Sequence, residues 1–378
     1  MMIYIFWLSI AIPVYGFIGY PILLGIISLF YRDTKYTPVS NLPLSIIIAA
    51  HNEEKNIKDK IQSILNQTYV TDKLQIIIAS DGSTDATVSL ALSFNDPRIK
   101  VLDLPRAGKT STLNTAFEHA LYDIIVFTDA DNQWNNNTLQ HLVAPFSADD
   151  VGASAGQMTI PDTGQSLSIG DSLYRYYESW IRSIENKTGC MVSADGALLA
   201  IRKNLFEKIP LDVNDDFFLS TCAPLHNKKI IYVEHAKVTD EGVDEADKQY
   251  RRRIRVTVGG LKSLAARRSL LNPLKYNLYA IALISHKLIR RLAPLFLLPL
   301  FISNLFIIDQ HVFYKTIFYL QLLSYLIAIA GLLDKNNRLP KIFKIAAYIL
   351  VTIMGMSVGC WQFITGKEYK LWNPQESR

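Results

Sequence analysis

Three short polar clusters carry the residue types in this chain best suited to chemistry: His51-Asn52-Glu53-Glu54, Asp81-Gly82-Ser83-Thr84-Asp85 and Asp129-Ala130-Asp131. In the third, two carboxylates flank one small residue. Carboxylates placed this way hold hard divalent cations, so Asp129 and Asp131 can share a Mg²⁺ or Mn²⁺ with a diphosphate. Each cluster also has a plainer reading. Asp, Ser and Thr are favoured at helix N-caps, which serves equally well for Ser83 and Asp85. A simple turn serves for Asp129-Ala130-Asp131, but Phe127-Thr128 would then lead a buried strand straight into two like charges, which is costly without a cation.

The elements that must position these clusters are legible as apolar runs. LSIIIAA at 44–50, LQIIIA at 74–79 and DIIVFT at 123–128 are β-branched and uninterrupted, the pattern of strands buried on both faces. A shorter strand is expected at 99–102. Helical spacing is expected over 56–65, 84–94 and 110–121. Strand and helix in alternation predict an α/β fold with a mostly parallel sheet. Ligands of such sheets bind at the carboxyl ends of the strands, where all three clusters fall.

The chain has 378 residues, 49% of them hydrophobic, with a net charge of +5 and a mean hydropathy of +0.15. The apolar excess sits at the two ends. Residues 1–31 read as an uncleaved transmembrane anchor, long enough for a ~30 Å hydrocarbon core and without the basic start or small-residue cleavage site of a signal peptide. Further spans are expected at 292–308, 312–333 and 343–364, within a membrane region of 292–364. Residues 40–260 form the soluble domain and 261–291 an interfacial amphipathic segment. Arg32 and Lys35 after the anchor, and Lys287, Arg290 and Arg291 before the second span, place the domain in the cytoplasm. The loop holding Lys335, Arg338, Lys341 and Lys344 carries the same mark. Alternation then puts the tail 365–378 outside, although it carries Lys367, Lys370 and Arg378. Cys190, Cys222 and Cys360 lack metal-type or paired spacing and read as buried free thiols. The modest charge is concentrated near the membrane segments, which argues for membrane lipids as partners and against nucleic acid.

From residue 44 to 291 the chain resembles the family 2 glycosyltransferases of the GT-A fold. SIIIAAHNEEKNI, IIASDGSTDAT, GKTSTLNTAFEHA, FTDADNQW, SADGALLAIRKNLF and NDDFFLS stand in the family's order. The resemblance implies a Rossmann-like GT-A domain flanked by N- and C-terminal transmembrane helices. It implies a nucleotide-sugar donor, with a lean to UDP-sugar, a lipid-linked or glycan acceptor, and Mg²⁺ or Mn²⁺ as cofactor. Carried over residue by residue, Asp81 and Glu53 contact the nucleoside beside Ala50 and Asn52, and Lys109 contacts the donor. Asp131 is the principal metal ligand, with Asp129 near the ribose or the metal. Asp216 is the general base, and Asp215 stands where the family has Glu. Arg252 and Arg255 suit a diphosphate or a lipid phosphate. Processive members carry a Gln-X-X-Arg-Trp motif near the membrane. Here Arg252-Arg253-Ile254-Arg255-Val256 has Arg for the Gln and Val for the Trp, and a register starting at Gln249 also lacks the Trp. A tryptophan there would stack on a polymer's terminal sugar, so its absence favours single addition.

Some residues stay unassigned: His51, Asp195, Glu241 and Trp134, the last expected in the core. His286 and Lys287 are expected to face lipid headgroups. Transfer of one sugar to a polyprenyl phosphate, a catalytically silent scaffold and a nucleotidyltransferase are the alternatives to glycan synthesis.

Overall fold

The computed structural model describes residues 1–37, 41–69, 71–159, 166–194, 196–239, 245–334 and 338–367, with 166–168 described by backbone alone. Asp195, Glu241, Lys335 and residues 368–378, with Lys370 and Arg378, lie outside the described residues.

Among the described residues eight strands form one sheet: β1 (Leu44–Ala50), β2 (Leu74–Asp81), β3 (Ile99–Leu104), β4 (Ile124–Asp129), β5 (Gln133–Trp134), β6 (Val151–Thr159), β7 (Leu198–Arg202) and β8 (Lys229–Thr239). Their order is β3-β2-β1-β4-β7-β6-β8-β5. The half read from the sequence, β3-β2-β1-β4, is parallel throughout. Beyond it β7 runs antiparallel to both β4 and β6, and β6 and β8 are parallel.

The apolar runs are strands because both faces are covered. Along β1 and β2, Ile46, Ile48, Ile76 and Ile78 enter one core with Ile57, Ile61 and Ile64 of helix α2 (Ile57–Leu65). The alternate residues Ile47, Ala49, Ile77 and Ala79 enter a second core with Leu113 and Ala116 of helix α3 (Lys109–Glu118). Each isoleucine so buried contributes roughly 1.5–3 kcal/mol, and the two-residue period decides which core receives it.

Among the described residues four helices are long and apolar enough to cross a membrane: Met2–Ser28 (α1), Pro273–Ile307, Val312–Leu333 and Lys341–Ile364. Three more frame the site: α4 (Ser166–Lys187), α5 (Asp215–Ser220) and α6 (Ala246–Ala266). In chain order the remaining three are α7 (Pro273–Ile307), α8 (Val312–Leu333) and α9 (Lys341–Ile364). Thus α7 starts well before residue 292. It is kinked at Asn277 and passes through a π-helical turn at Leu283–Ile289. The domain docks on the membrane helices where α6 packs along α9. A Cβ on Gly355 of α9 would stand 2.7 Å from the Cβ of Arg253, so only glycine permits that approach.

Candidate active site

The parallel strands end together. Ala49 of β1 is level with Ala79 of β2 and with Asp129 of β4, so the three polar clusters leave the sheet at one edge. In β7, Leu198 is level with Thr128, which brings the segment before it, with Gly196, to the same edge.

A cavity of about 1360 Å³ opens there. Glu53, Lys109, Asp129, Asp131, Asp215, Asp216, Arg252 and Arg255 all line it, and Pro13, Phe17, Leu297, Tyr348 and Ile349 of the membrane helices form its far wall. Ala50, Asn52 and Asp81 are not among the residues that line it. Asp81 is wholly buried. Its carboxylate accepts hydrogen bonds from the N–H groups of Ala107 at 2.7 Å and Gly108 at 3.0 Å, and pairs with Arg106. It therefore fastens the loop that delivers Lys109. Gly82, which follows, has φ +61°, and a Cβ there would lie 2.8 Å from the Arg106 backbone nitrogen. Asn52, at φ +54°, accepts from the N–H of Thr84 at 2.8 Å. Ser83 and Asp85 accept from the backbone N–H groups of Asn52 and Glu54, tying the first two clusters together. Glu53 is buried and accepts from Asn56. His51 bonds the Asp81 carbonyl through Nδ1 at 2.8 Å, and Trp134 is in the core.

At the mouth, Lys109 Nζ lies 2.7 Å from Asp129 and 3.0 Å from Asp215. The strand-end acid and the α5 acid are thus drawn to one ammonium. Burial opposes the charge on Lys109, but Asp129 and Asp215 outweigh it and raise the group above the ordinary lysine value. Asp129 is raised in turn, by burial first and then by Asp131 and Asp215, against the pull of Lys109. Carboxylates that raise one another in this way are the environment a divalent cation relieves. Asp131 and Asp129 have the oxygen donors that a hard divalent cation takes. Among the described residues no set of three or more His, Cys, Asp or Glu side chains converges on one point, so protein side chains alone do not complete a coordination shell. Asp216 stands in the first turn of α5 and accepts from the Phe217 N–H at 2.7 Å, and its Oδ2 lies 3.7 Å from where a Cβ on Gly196 would be.

Two sets of residues were missed in the sequence. Lys60 of α2 is wholly buried. Its Nζ donates to Thr128 Oγ1 at 2.8 Å and to Asn132 Oδ1 and O at 2.5 and 3.1 Å, and stands over the Trp134 ring. It braces both ends of the Asp129–Asp131 turn. Its signal was a lysine inside the Ile57-Ile61-Ile64 stripe. The second set surrounds His286, which is buried instead of facing headgroups. Its Nδ1 lies 2.7 Å from Glu185 and its Nε2 3.1 Å from Glu178, because α4 packs its acidic face against the π-helical turn of α7. Lys287 turns inward as well, to 3.7 Å from Glu178. Asp171, Glu178 and Glu185 recur every seven residues along α4, a stripe readable in the sequence. The three cysteines are buried and free.

A mixed, largely parallel sheet whose strand-end carboxylates face a cavity defines the GT-A class. The chain aligns over 96% of its length, and over 100% of the other chain, with the mannosyltransferase PcManGT from Pyrobaculum calidifontis solved with GDP-Man and Mn²⁺. The TM-score is 0.70 at 22% identity, a likeness of fold. Residues 45–209 match the family model described as Glycosyl transferase family 2, and the chain carries a family 2 glycosyltransferase domain. A β-1,3-glucosyltransferase of Escherichia coli, named for UDP-Glc and α-D-GlcNAc-diphosphoundecaprenol, is 32% identical over 31% of this chain and 46% of its own. The poly-β-1,6-N-acetyl-D-glucosamine synthase of Staphylococcus epidermidis is 24% identical over 50% of each. The chain spans between about a third and a half of the length of such curated relatives.

Proposed function

We propose that this protein is an inverting glycosyltransferase embedded in a bacterial-type plasma membrane. It moves a hexosyl or N-acetylhexosaminyl group from a nucleotide sugar, a UDP-sugar by family lean, to a lipid-linked or glycan acceptor for surface polysaccharide. Its catalytic domain faces the cytoplasm. The observation that carries the proposal is one cavity lined by Asp129 and Asp131 from β4, by Asp215 and Asp216 from α5, and by membrane helices on the far side.

Asp216 takes the proton of the acceptor hydroxyl as its oxygen attacks the anomeric carbon, and the bond to the nucleoside diphosphate breaks. One displacement inverts the centre. A Mg²⁺ or Mn²⁺ bound at Asp131 and Asp129 supplies neutralising charge to the diphosphate. Lys109, with Arg252 and Arg255 on the same cavity, adds fixed positive charge at the leaving group. Asp81 holds the 106–108 loop so that Lys109 is in place before the donor arrives. Asp215 keeps the Lys109 ammonium near the transferred group.

The test is direct. Purified protein is incubated with Mn²⁺ and a panel of nucleotide sugars, and free nucleoside diphosphate is measured. Metal-dependent release from one donor is expected. Pyrophosphate release would mean nucleotidyl transfer, and no product from any donor would mean a silent scaffold.

A further inference from the structure

The helix that carries Asp216 is held from outside itself. It has six residues, too few to stand on its own hydrogen bonds, so α5 takes the place its neighbours give it. Asn214, just before it, donates its N–H to Ser263 Oγ of α6 at 3.0 Å and its Nδ2 to the Val256 carbonyl at 3.3 Å. Within α5 the Phe218 carbonyl accepts from Arg267 Nη2 at 3.3 Å.

Two adjacent glycines inside α6 shape this docking. Glycine weakens a helix interior, so a pair there asks for a reason. A Cβ on Gly259 would collide with the Asn214 side-chain oxygen and lie 3.4 Å from its backbone nitrogen. A Cβ on Gly260 would lie 2.5 Å from Nε and 2.6 Å from Nη2 of Arg291. The first glycine makes room for the start of α5. The second makes room for a guanidinium sent in by the membrane helix α7.

From that notch Arg291 reaches α5. Its guanidinium carbon is 5.8 Å from the centre of the Phe217 ring, next in the chain to Asp216. Arg291, Asp216 and Phe217 line the same cavity, and Arg291 and Asp216 are within electrostatic reach of one another. The arginine is fixed in turn. Its Nη1 donates to the Lys287 carbonyl at 3.1 Å, and its own carbonyl accepts from Cys360 Sγ of α9 at 3.3 Å. The plainer reading is packing, with the arginine stem filling a gap between helices. Packing accounts for the stem and leaves the guanidinium on the cavity wall beside Phe217 without a reason.

We propose that Arg291 is a positioning residue that acts through Asp216. Seated on Gly260, it holds the first turn of α5 at the cavity wall and ties the setting of that carboxylate to the membrane helices α7 and α9. The inference rests on Asp216 as the general base. A base must stand within hydrogen-bond reach of the acceptor hydroxyl, and a misplacement of about 1 Å costs roughly 10²-fold in turnover.

The test uses the full chain in detergent with the nucleotide sugar that turns over in the panel above. Binding of its nucleoside diphosphate with Mn²⁺ is titrated alongside. Arg291→Ala is expected to lower kcat roughly 10²-fold, with KM for the donor and nucleotide affinity within about twofold of wild type. Arg291→Lys keeps a cation without the planar fork and is expected to recover part of the loss. Gly260→Ala is expected to lower kcat about tenfold, although alanine is the better helix former. The group it displaces is the end of a long side chain, so the fold survives the change. Added to Arg291→Ala it should cost nothing further, because that group is already gone. Normal kcat in Arg291→Ala overturns the proposal, and so does a Gly260→Ala loss that persists in full in the double variant. A loss of nucleotide affinity that matches the loss of kcat also overturns it, since Arg291 would then serve the donor. Asp216→Asn, run in parallel, separates the two ideas. Normal turnover there overturns the base assignment together with this inference. Impaired turnover there with Arg291→Ala unimpaired overturns this inference alone.

Discussion

The two ends of the cavity are opposites. At the sheet edge Asp129, Asp131, Asp215 and Asp216 line a wall where Lys109 is the ammonium drawn to both acid pairs. At the membrane end Arg175, Arg252 and Arg253 gather around Asp171, and Arg182, Lys287 and Arg290 around Glu178. The first wall is built chiefly of carboxylates that β4 and α5 bring to one place, and the second of cations that α4, α6 and α7 gather around a few carboxylates.

If the acidic end performs the chemistry, Asp216→Asn gives the largest effect. Turnover is expected to fall roughly 10²–10⁴-fold while donor binding survives, measured by steady-state kinetics and donor titration. Normal turnover removes Asp216 from the mechanism.

The cationic end is tested next through Glu178. Burial pushes its carboxyl up, but Arg290, His286 and Lys287 outweigh burial and hold it well below the ordinary value of 4.5. A depressed acid stabilises the fold above its unfolded pKa and loses that contribution as pH falls through the lower folded value. Glu178→Gln is therefore expected to cost about 3 kcal/mol at pH 7. In thermal unfolding the gap from wild type should stay constant down to about pH 4.5 and close below it. A gap that widened in acid would contradict the pairing.

Lys60→Met comes third. It removes three hydrogen bonds from the turn that presents Asp129 and Asp131, and is expected to cost about 2 kcal/mol, with weaker Mn²⁺ binding. The smallest effect on stability belongs to Lys109→Met. Its acids are partly exposed, so loss of the two ion pairs should cost about 1 kcal/mol in EDTA, and Mn²⁺ should restore part of it. Equal stability with and without Mn²⁺ would deny that Lys109 and the metal meet the same carboxylates.

The acidic end was legible in the sequence and the cationic end was not, for a physical reason. Strands buried on both faces read as continuous apolar runs, and a parallel sheet sends their following residues to one edge, so Glu53, Lys109, Asp129 and Asp131 come together from local motifs alone. The half of the sheet beyond the antiparallel β7 escaped because its parallel strands β6 and β8 carry mixed residues with a register shift between Gly156 and Gln157. The membrane-side wall is assembled from α4, α6, α7 and α9, whose relative placement no local pattern states. His286 beside basic residues looked like a headgroup contact, and only the packing of α4 on α7 buried it. The arginine run likewise divides. Arg251 reaches outward to Asp247, while Arg252 and Arg253 turn in to Asp171.

The central claim is that the strand-end acids and a donor diphosphate share one cation. Electron paramagnetic resonance of Mn²⁺ tests it most directly, with wild type and Asp131→Asn compared in the presence and absence of a nucleoside diphosphate. Bound Mn²⁺ should rise sharply with the nucleotide in wild type and fail to do so in Asp131→Asn. Equal Mn²⁺ binding by the two proteins, or binding indifferent to the nucleotide, would contradict the account.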